Sequence, residues 1–427
     1  MTVYLPFIVL FALLAFGVPV AISLALAGSL GIYLATSADV LVGILTASPG
    51  SALTTYELLT IPMFILMAEF MGVSGITSSL FNAIAKWTNN IRGGVGIATV
   101  LTGAAFGAIS GSSTAAAATL AKTSIPAMRE QGYSGGMAGS IAAISGTIAM
   151  LIPPSVALIF YGLLSGVSIA DLLIAGIVPG ILVAMTIAAT IKLLLLRNPL
   201  PTQGKNYSLG EKIQSLKVAG PFLALFLLVT GLIYTGIATP VESSGLGAFG
   251  ALLIAVKSGN LTRSRFSEAL FNTCAISAMI GLIIVCAHIF GYFITFTGFT
   301  RDMVAWAGGL NVSPYVILAV IVVLYLALGL FLDLISILIL TVPVVLPLVT
   351  SLGFDPLWFG IIVILLAEIG IVTPPVGINV FVVSKSANIP VGTIFSNVMI
   401  YVLSLLALVL VLVIFPELVL WLPSTSR

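Results

Sequence analysis

Two pairs of short segments carry the residues that could do chemistry. The first pair is Gly107-Ala-Ile-Ser-Gly-Ser-Ser-Thr114 with, further along, Ala149-Met-Leu-Ile-Pro-Pro-Ser155. The second is Gly329-Leu-Phe-Leu-Asp-Leu-Ile-Ser336 with Gly370-Ile-Val-Thr-Pro-Pro-Val-Gly377. All four interrupt apolar runs. Irregular backbone inside a bilayer leaves N–H and C=O groups to be satisfied by protein, water or ligand. Pro153-Pro154 and Pro374-Pro375 free carbonyls about one turn upstream, near 149–152 and 370–373. Such carbonyls, joined by Ser, Thr or Asp oxygens, make a site for a hard cation. The helices that restart after each break offer N–H groups and a positive dipole end to an anion. The pattern therefore predicts two related cation sites flanking one anionic substrate. Glycine and serine also let helices pack closely, and proline kinks are common in membrane helices. Recurrence of both motifs at one repeat position favours a site over packing alone.

Other reactive side chains are few. Glu69, Glu242, Asp333 and Glu368 are the acids at membrane depth. Asp333 belongs to the second motif and is expected beside a cation or in closing a hairpin. Glu368 lies two residues before Gly370, close enough to sense the site. Glu242 follows Thr239-Pro240 and suits a helix N-terminus, and Glu69 reads as a satisfied interhelical carboxyl. His288, the single histidine, reads as a hydrogen-bonded interhelical residue, and Cys274 and Cys286 as small core residues. No Arg or Lys is expected in the pocket. No Gly-Lys-Ser/Thr phosphate loop, HExxH or Cys/His cluster occurs, so ATP hydrolysis and metalloenzyme chemistry find no support. Ser110, Ser112 or Ser113 with His288 could in principle serve an intramembrane protease, but Gly-x-Ser-Gly is absent and an inverted repeat would then have no purpose.

The elements that hold these residues must live in lipid. Of 427 residues, 7% are charged and 60% hydrophobic, too little polarity to cover a soluble globule. The net charge of +2 carries no nucleic-acid signal. The sequence predicts an all-α polytopic membrane protein with helices near 3–16, 18–35, 56–73, an amphipathic 76–88, an interrupted run 94–129, a broken 135–166, and 171–196. Residues 199–217 read as a cytoplasmic linker. Helices near 218–236, 239–257, 269–294, an amphipathic 299–308, an interrupted 313–351 with its hairpin near 329–351, a broken 357–383, and 391–415 follow. At one constant offset, Pro19, Pro126, Pro153 and Pro154 meet Pro240, Pro347, Pro374 and Pro375, which predicts a duplication into 1–198 and 218–427. If each interrupted run is re-entrant, each half crosses five times and the second half is inverted. That topology puts 13 of the 15 Lys and Arg residues on one side, which should be cytoplasmic, with both termini periplasmic.

At these residues the sequence resembles the large membrane subunit of tripartite ATP-independent periplasmic (TRAP) transporters, the DctM family. The matching stretches are Gly107–Leu120, Ile125-Pro126 with Gly132-Tyr133, Leu151–Leu163, Ala175–Ile181, Thr239–Ser243, Asp333, Val342–Leu348, Gly353–Leu357 and Gly370–Val382, nearly the whole chain in order. The resemblance implies a sodium-driven importer of a small organic acid in the bacterial inner membrane, with a fold like that of divalent-anion sodium symporters. A scaffold would hold a mobile transport domain with two hairpins that works as an elevator. It implies a small four-helix membrane subunit, expected on a separate chain, and a soluble periplasmic binding protein that delivers the carboxylate. Of two sodium sites, one falls at Ser110, Gly111, Ser112 and Ser113 with Ala149, Ile152 and Ser155. The other falls at Gly329, Gly370, Thr373 and Val376 with Asp333. Ala149 stands where the family most often has glycine; a carbonyl ligand survives that change. Ser113, Thr114, Pro154, Ser336, Pro375, Gly377 and Asn379 are the candidates for holding substrate. Members of the family carry C4-dicarboxylates, sialic acid, keto acids and other solutes. The competing reading is a stand-alone sodium- or proton-coupled anion symporter.

Overall fold

The computed structural model describes residues 4–197, 207–310 and 312–425, and every regular element among them is helical. The first half contains α1 (Tyr4–Ala15), α2 (Val20–Ala35), α3 (Ala38–Leu53), α4 (Thr60–Ser74), α5 (Ile76–Thr88), α6 (Gly94–Ser110), α7 (Ser113–Glu130), α8 (Gly135–Thr147), α9 (Val156–Ser165), α10 (Ile169–Ala175) and α11 (Ile177–Arg197). The second contains α12 (Leu209–Tyr234), α13 (Pro240–Lys257), α14 (Arg263–Thr297), α15 (Phe299–Gly309), α16 (Pro314–Gly329), α17 (Leu334–Ser351), α18 (Pro356–Gly370), α19 (Ile378–Ala387), α20 (Val391–Ile414) and α21 (Glu417–Thr425). Among the described residues, five helical segments are long and apolar enough to cross a bilayer, or six if the bent α12 counts as one.

The breaks fall where the glycine and proline motifs stand, but three elements differ from expectation. The expected spans pass over α3, which runs through Pro49; Ser37 caps it, and it packs against α14. Residues 199–206 lie outside the described residues, and the remainder of the expected linker is helical from Leu209. There Ser208 and Glu211 form a reciprocal capping box that satisfies two of the open N–H groups of α12. A short terminal helix, α21, follows the last expected span.

Two packing neighbourhoods organise the bundle. Around α14 lie α2, α3 and α4, with α13 against α4. Small residues make this seam close: a Cβ on Gly28 would stand 2.9 Å from the backbone of Phe290, and one on Gly31 2.2 Å from the Phe293 ring. With lipid tails as apolar as leucine, such backbone approach and dispersion drive helix association. Phe7, Phe290, Phe293 and Phe299 make edge and tilted ring contacts beside the seam and tie α1 to α14 and α15. The second neighbourhood is built on α8 and α18, each surrounded by protein; 14 of the 15 residues of α18 are buried. Helices apolar all round belong at such a centre. Against them pack α7, α9, α16, α17 and α19, which flank the breaks, and the continuous α20. Tyr161 fastens the two broken helices together: its hydroxyl donates to the Pro356 carbonyl at 2.6 Å, and its ring fills the place a Cβ on Gly360 would take.

Local chemistry recurs at the same offset that relates the prolines. Ser112 caps α7 and Asp333 caps α17; Ser134 caps α8 and Asp355 caps α18. Gly132 and Gly353 precede the latter pair with φ of 88° and 89°, the left-handed conformation that glycine adopts without Cβ conflict.

Candidate functional site

The first break begins where α6 ends at Ser110. Gly111, at φ 55°, turns the chain back and donates its N–H to the Gly107 carbonyl at 3.0 Å. Ser112 then accepts from the Ala115 N–H at 3.3 Å, and its hydroxyl lies 3.1 Å from that of Thr114. Ser113 is buried behind them. Across from this tip runs the irregular stretch between α8 and α9. A Cβ on Gly107 would fall 2.2 Å from the Ala149 Cα, so the two backbones touch. Phe106, Ala116 and Ala149 close a small apolar cluster around the contact. Ser155 caps α9 and donates its hydroxyl to the Met150 carbonyl at 2.5 Å.

At the second break α16 ends at Gly329 and Asp333 starts α17, accepting from both the N–H and the hydroxyl of Ser336. Opposite lies Gly370, where a Cβ would stand 2.5 Å from the Gly329 Cα. The Thr373 hydroxyl donates to the Ile369 carbonyl at 2.6 Å and its N–H to the Gly370 carbonyl at 2.9 Å; the Asn379 N–H donates to the Ile371 carbonyl at 3.3 Å. Several carbonyls expected to be freed by the Pro-Pro pairs, those of Met150, Gly370 and Ile371, are thus re-used locally. Each still has a second lone pair to offer. Gly377, at φ 54°, turns the chain into α19 against Phe395. The Asn379 side chain is fully buried with neither amide atom hydrogen-bonded.

A cavity of about 1050 Å³ joins the two regions. One wall is made by Ser110, Gly111, Ser112, Ser113, Thr114 and Asp333, with Ile371 and Ile378 from either side of the second Pro-Pro. The facing wall comes from α4, α14 and the turn before α14, with Glu69, Asn260, Arg265, Glu268 and Asn272. Of the substrate candidates, Ser113 and Thr114 reach this cavity. Pro154, Ser336, Pro375, Gly377 and Asn379 do not line it, nor do the cation candidates Ala149, Ile152, Ser155, Gly329, Gly370, Thr373 and Val376.

The expectation of a nearly uncharged pocket without Arg or Lys is therefore corrected. Arg265 lines it, with one guanidinium N–H given to the Asn260 carbonyl at 3.0 Å. The available signal was length: α14 spans 35 residues, about 52 Å, against the roughly 30 Å of a bilayer core. A helix that long carries residues beyond its apolar centre alongside its neighbours. Glu69 is an interhelical carboxyl as expected, accepting from Asn272 at 3.4 Å, yet it also faces the cavity. Glu242 closes a capping box with Thr239, the helix-terminal role expected. His288 is not a hydrogen-bonded interhelical residue; it is exposed on α14 and lines a second cavity of about 670 Å³ with Tyr292, Arg301 and Pro343. Cys286 is buried, but Cys274 is exposed on the helix surface rather than in the core.

An all-helical membrane bundle with paired helix breaks beside one cavity defines a transporter with discontinuous helices. The comparisons make the assignment narrower. The family described as "Tripartite ATP-independent periplasmic transporter, DctM component" matches residues 7–418, and the chain belongs to it. It is 32% identical over 370 residues to the C4-dicarboxylate TRAP transporter large permease protein DctM of Pseudomonas aeruginosa, covering 86% of each chain. It is 31% identical to the sialic acid TRAP transporter large permease protein SiaM of Vibrio cholerae, again over 86% of each. The 2,3-diketo-L-gulonate TRAP transporter large permease protein YiaN of Escherichia coli is 31% identical over 95% of each. In fold the chain resembles the YdaH transporter of Alcanivorax borkumensis, with a TM-score of 0.69 and 18% identity over 90% of each chain. The protein is a membrane-spanning transporter component, not an enzyme.

Proposed function

We propose that this subunit moves a small organic acid across the bacterial inner membrane together with sodium ions. The observation that carries the reading is the convergence of both helix breaks on one cavity of about 1050 Å³, room enough for a small carboxylate and its water. Hydroxyls and carbonyls at the breaks suit sodium, which prefers hard oxygen donors. The restarted helices α7 and α17 offer N–H groups to a carboxylate. The bias of Lys and Arg to one side supports a cytoplasmic face there, with both termini periplasmic in this reading.

The substrate class follows the named cargoes of the relatives, which are a dicarboxylate, sialic acid and a keto sugar acid. In this reading a periplasmic binding protein delivers the substrate and a small four-helix membrane subunit braces the neighbourhood of α14. The neighbourhood of α8 and α18 then moves past α14 as an elevator. The caps and turns that recur at one offset support two inverted halves.

Reconstitution tests this. Proteoliposomes holding both membrane subunits, given the binding protein and an inward sodium gradient, should accumulate the acid; replacing sodium with choline should abolish uptake. Uptake that needs neither the binding protein nor the small subunit would instead establish the stand-alone symporter.

A further inference from the structure

Away from the cavity, two lysines and two aromatic rings meet where α5 approaches the start of α12. The two parts of α12, Leu209–Lys217 and Ala219–Tyr234, join at an angle of 56°. Helical spacing puts Leu209, Ile213 and Leu216 on one face of the first part, and all three are exposed. Lys212 and Lys217 flank that apolar stripe, while Glu211 lies on the opposite side, engaged in its cap with Ser208. A short helix with an exposed apolar stripe between lysines suits the plane of a membrane interface, with its ammonium groups reaching toward the headgroups.

The aromatic rings tie this segment to α5. Lys86 Nζ stands 5.7 Å from the centre of the Tyr207 ring, and Lys212 Nζ stands 5.9 Å from that of Trp87. The Trp87 indole N–H donates to the Lys212 carbonyl at 3.2 Å, which holds the two helices in register. Among the described residues neither lysine has a carboxylate partner. Attraction to an aromatic face orients an ammonium group without neutralising it. Trp and Tyr are also the side chains that settle at headgroup depth.

We propose that this corner binds an anionic phospholipid of the leaflet on the Lys- and Arg-rich side. The Lys86 and Lys212 ammonium groups hold its phosphate, and its acyl chains run along Leu209, Ile213 and Leu216. A soluble phosphate would use the lysines but leave the apolar stripe uncovered; a lipid satisfies both. Because α5 joins α4 to α6 and packs on α12, the bound lipid braces the link between them. The site does not depend on sodium coupling.

The test is binding of phosphatidylglycerol to the delipidated complex of this chain with its small subunit, read by native mass spectrometry and by lipid-dependent thermal stabilisation. Phosphatidylglycerol should bind and stabilise, and phosphatidylethanolamine at the same concentration should do so far less. Lys86→Gln and Lys212→Gln should each weaken phosphatidylglycerol binding roughly fivefold, and the double variant about twenty-five-fold. Lys86→Arg keeps the charge and should bind as wild type does. Lys385→Gln, on α19, which packs on α7, α8 and α20, should also leave binding unchanged. If the double variant does not fold, the two single variants carry the comparison. Equal binding by wild type and the lysine variants, or no preference for the anionic lipid, overturns the proposal. Inorganic phosphate that stabilises as strongly, with the same dependence on Lys86 and Lys212, makes this a soluble-anion site and overturns the lipid. Loss of the small subunit from the double variant with phosphatidylglycerol binding retained assigns the corner to that subunit and overturns it too.

Discussion

At the first break Gly107 lies against Ala149, whereas at the second Gly329 lies against Gly370. Ser112 caps the arm that leaves the first tip and Asp333 the arm that leaves the second. One frame thus carries two different fillings. The first tip is a run of small hydroxyls opening on the cavity; the second uses glycine on both sides and an acid that is already occupied by Ser336. The difference teaches that backbone path is held by helix ends and close contacts, while the side chains at each tip are free to specialise.

The largest effect should come from the contact between Gly329 and Gly370. Gly370→Ala would put a methyl 2.5 Å from the Gly329 Cα, where no flexible side chain can yield. Overpacking of this kind costs about 3 kcal/mol. Thermal unfolding of the purified complex should drop markedly and uptake should be lost; a variant of wild-type stability would show that the second contact is looser than the first. Gly107→Ala should behave alike, and adding Ala149→Gly should not rescue it, because the new Cβ meets the Cα of residue 149 as well as its methyl.

Next come the tips. Ser112→Ala removes a cap worth about 1 kcal/mol and a hydroxyl from the proposed first sodium site. Thr373→Val removes a hydroxyl from the second. Each should raise the sodium midpoint of uptake, and an unchanged midpoint in both would show that the cations bind elsewhere. Tyr161→Phe deletes the hydrogen bond that joins the broken helices and should cost about 1 kcal/mol in a thermal or denaturant measurement, with sodium dependence preserved. The smallest effect belongs to Ala149→Gly alone. Losing one buried methyl costs about 0.8 kcal/mol and makes the first contact resemble the second.

Much of the helix order is written in local signals. Gly111 and Gly377 mark turns at positive φ, and Ser112, Asp333 and Ser155 stand at caps, because each of those roles depends on the residue itself. The helix α3 escapes notice because Asp39, Pro49 and Gly50 dilute its apolar pattern, and its contact with α14 is a long-range fact. The same holds for Arg265, Cys274 and His288. Their settings are fixed by which face of a 35-residue helix meets which neighbour, and a helix turned to lipid on one side and protein on the other gives no clear periodic cue.

The seam between α2 and α14 also bears on how the molecule is made. Gly28 meets Phe290 and Gly31 meets Phe293, partners drawn from opposite halves of the chain. Synthesis runs at about 5–20 residues per second, so α2 waits tens of seconds after emerging from the ribosome before its partner exists. Through that interval its small-residue groove faces lipid or the insertion machinery, so the final bundle is closed only after the second half has been synthesised.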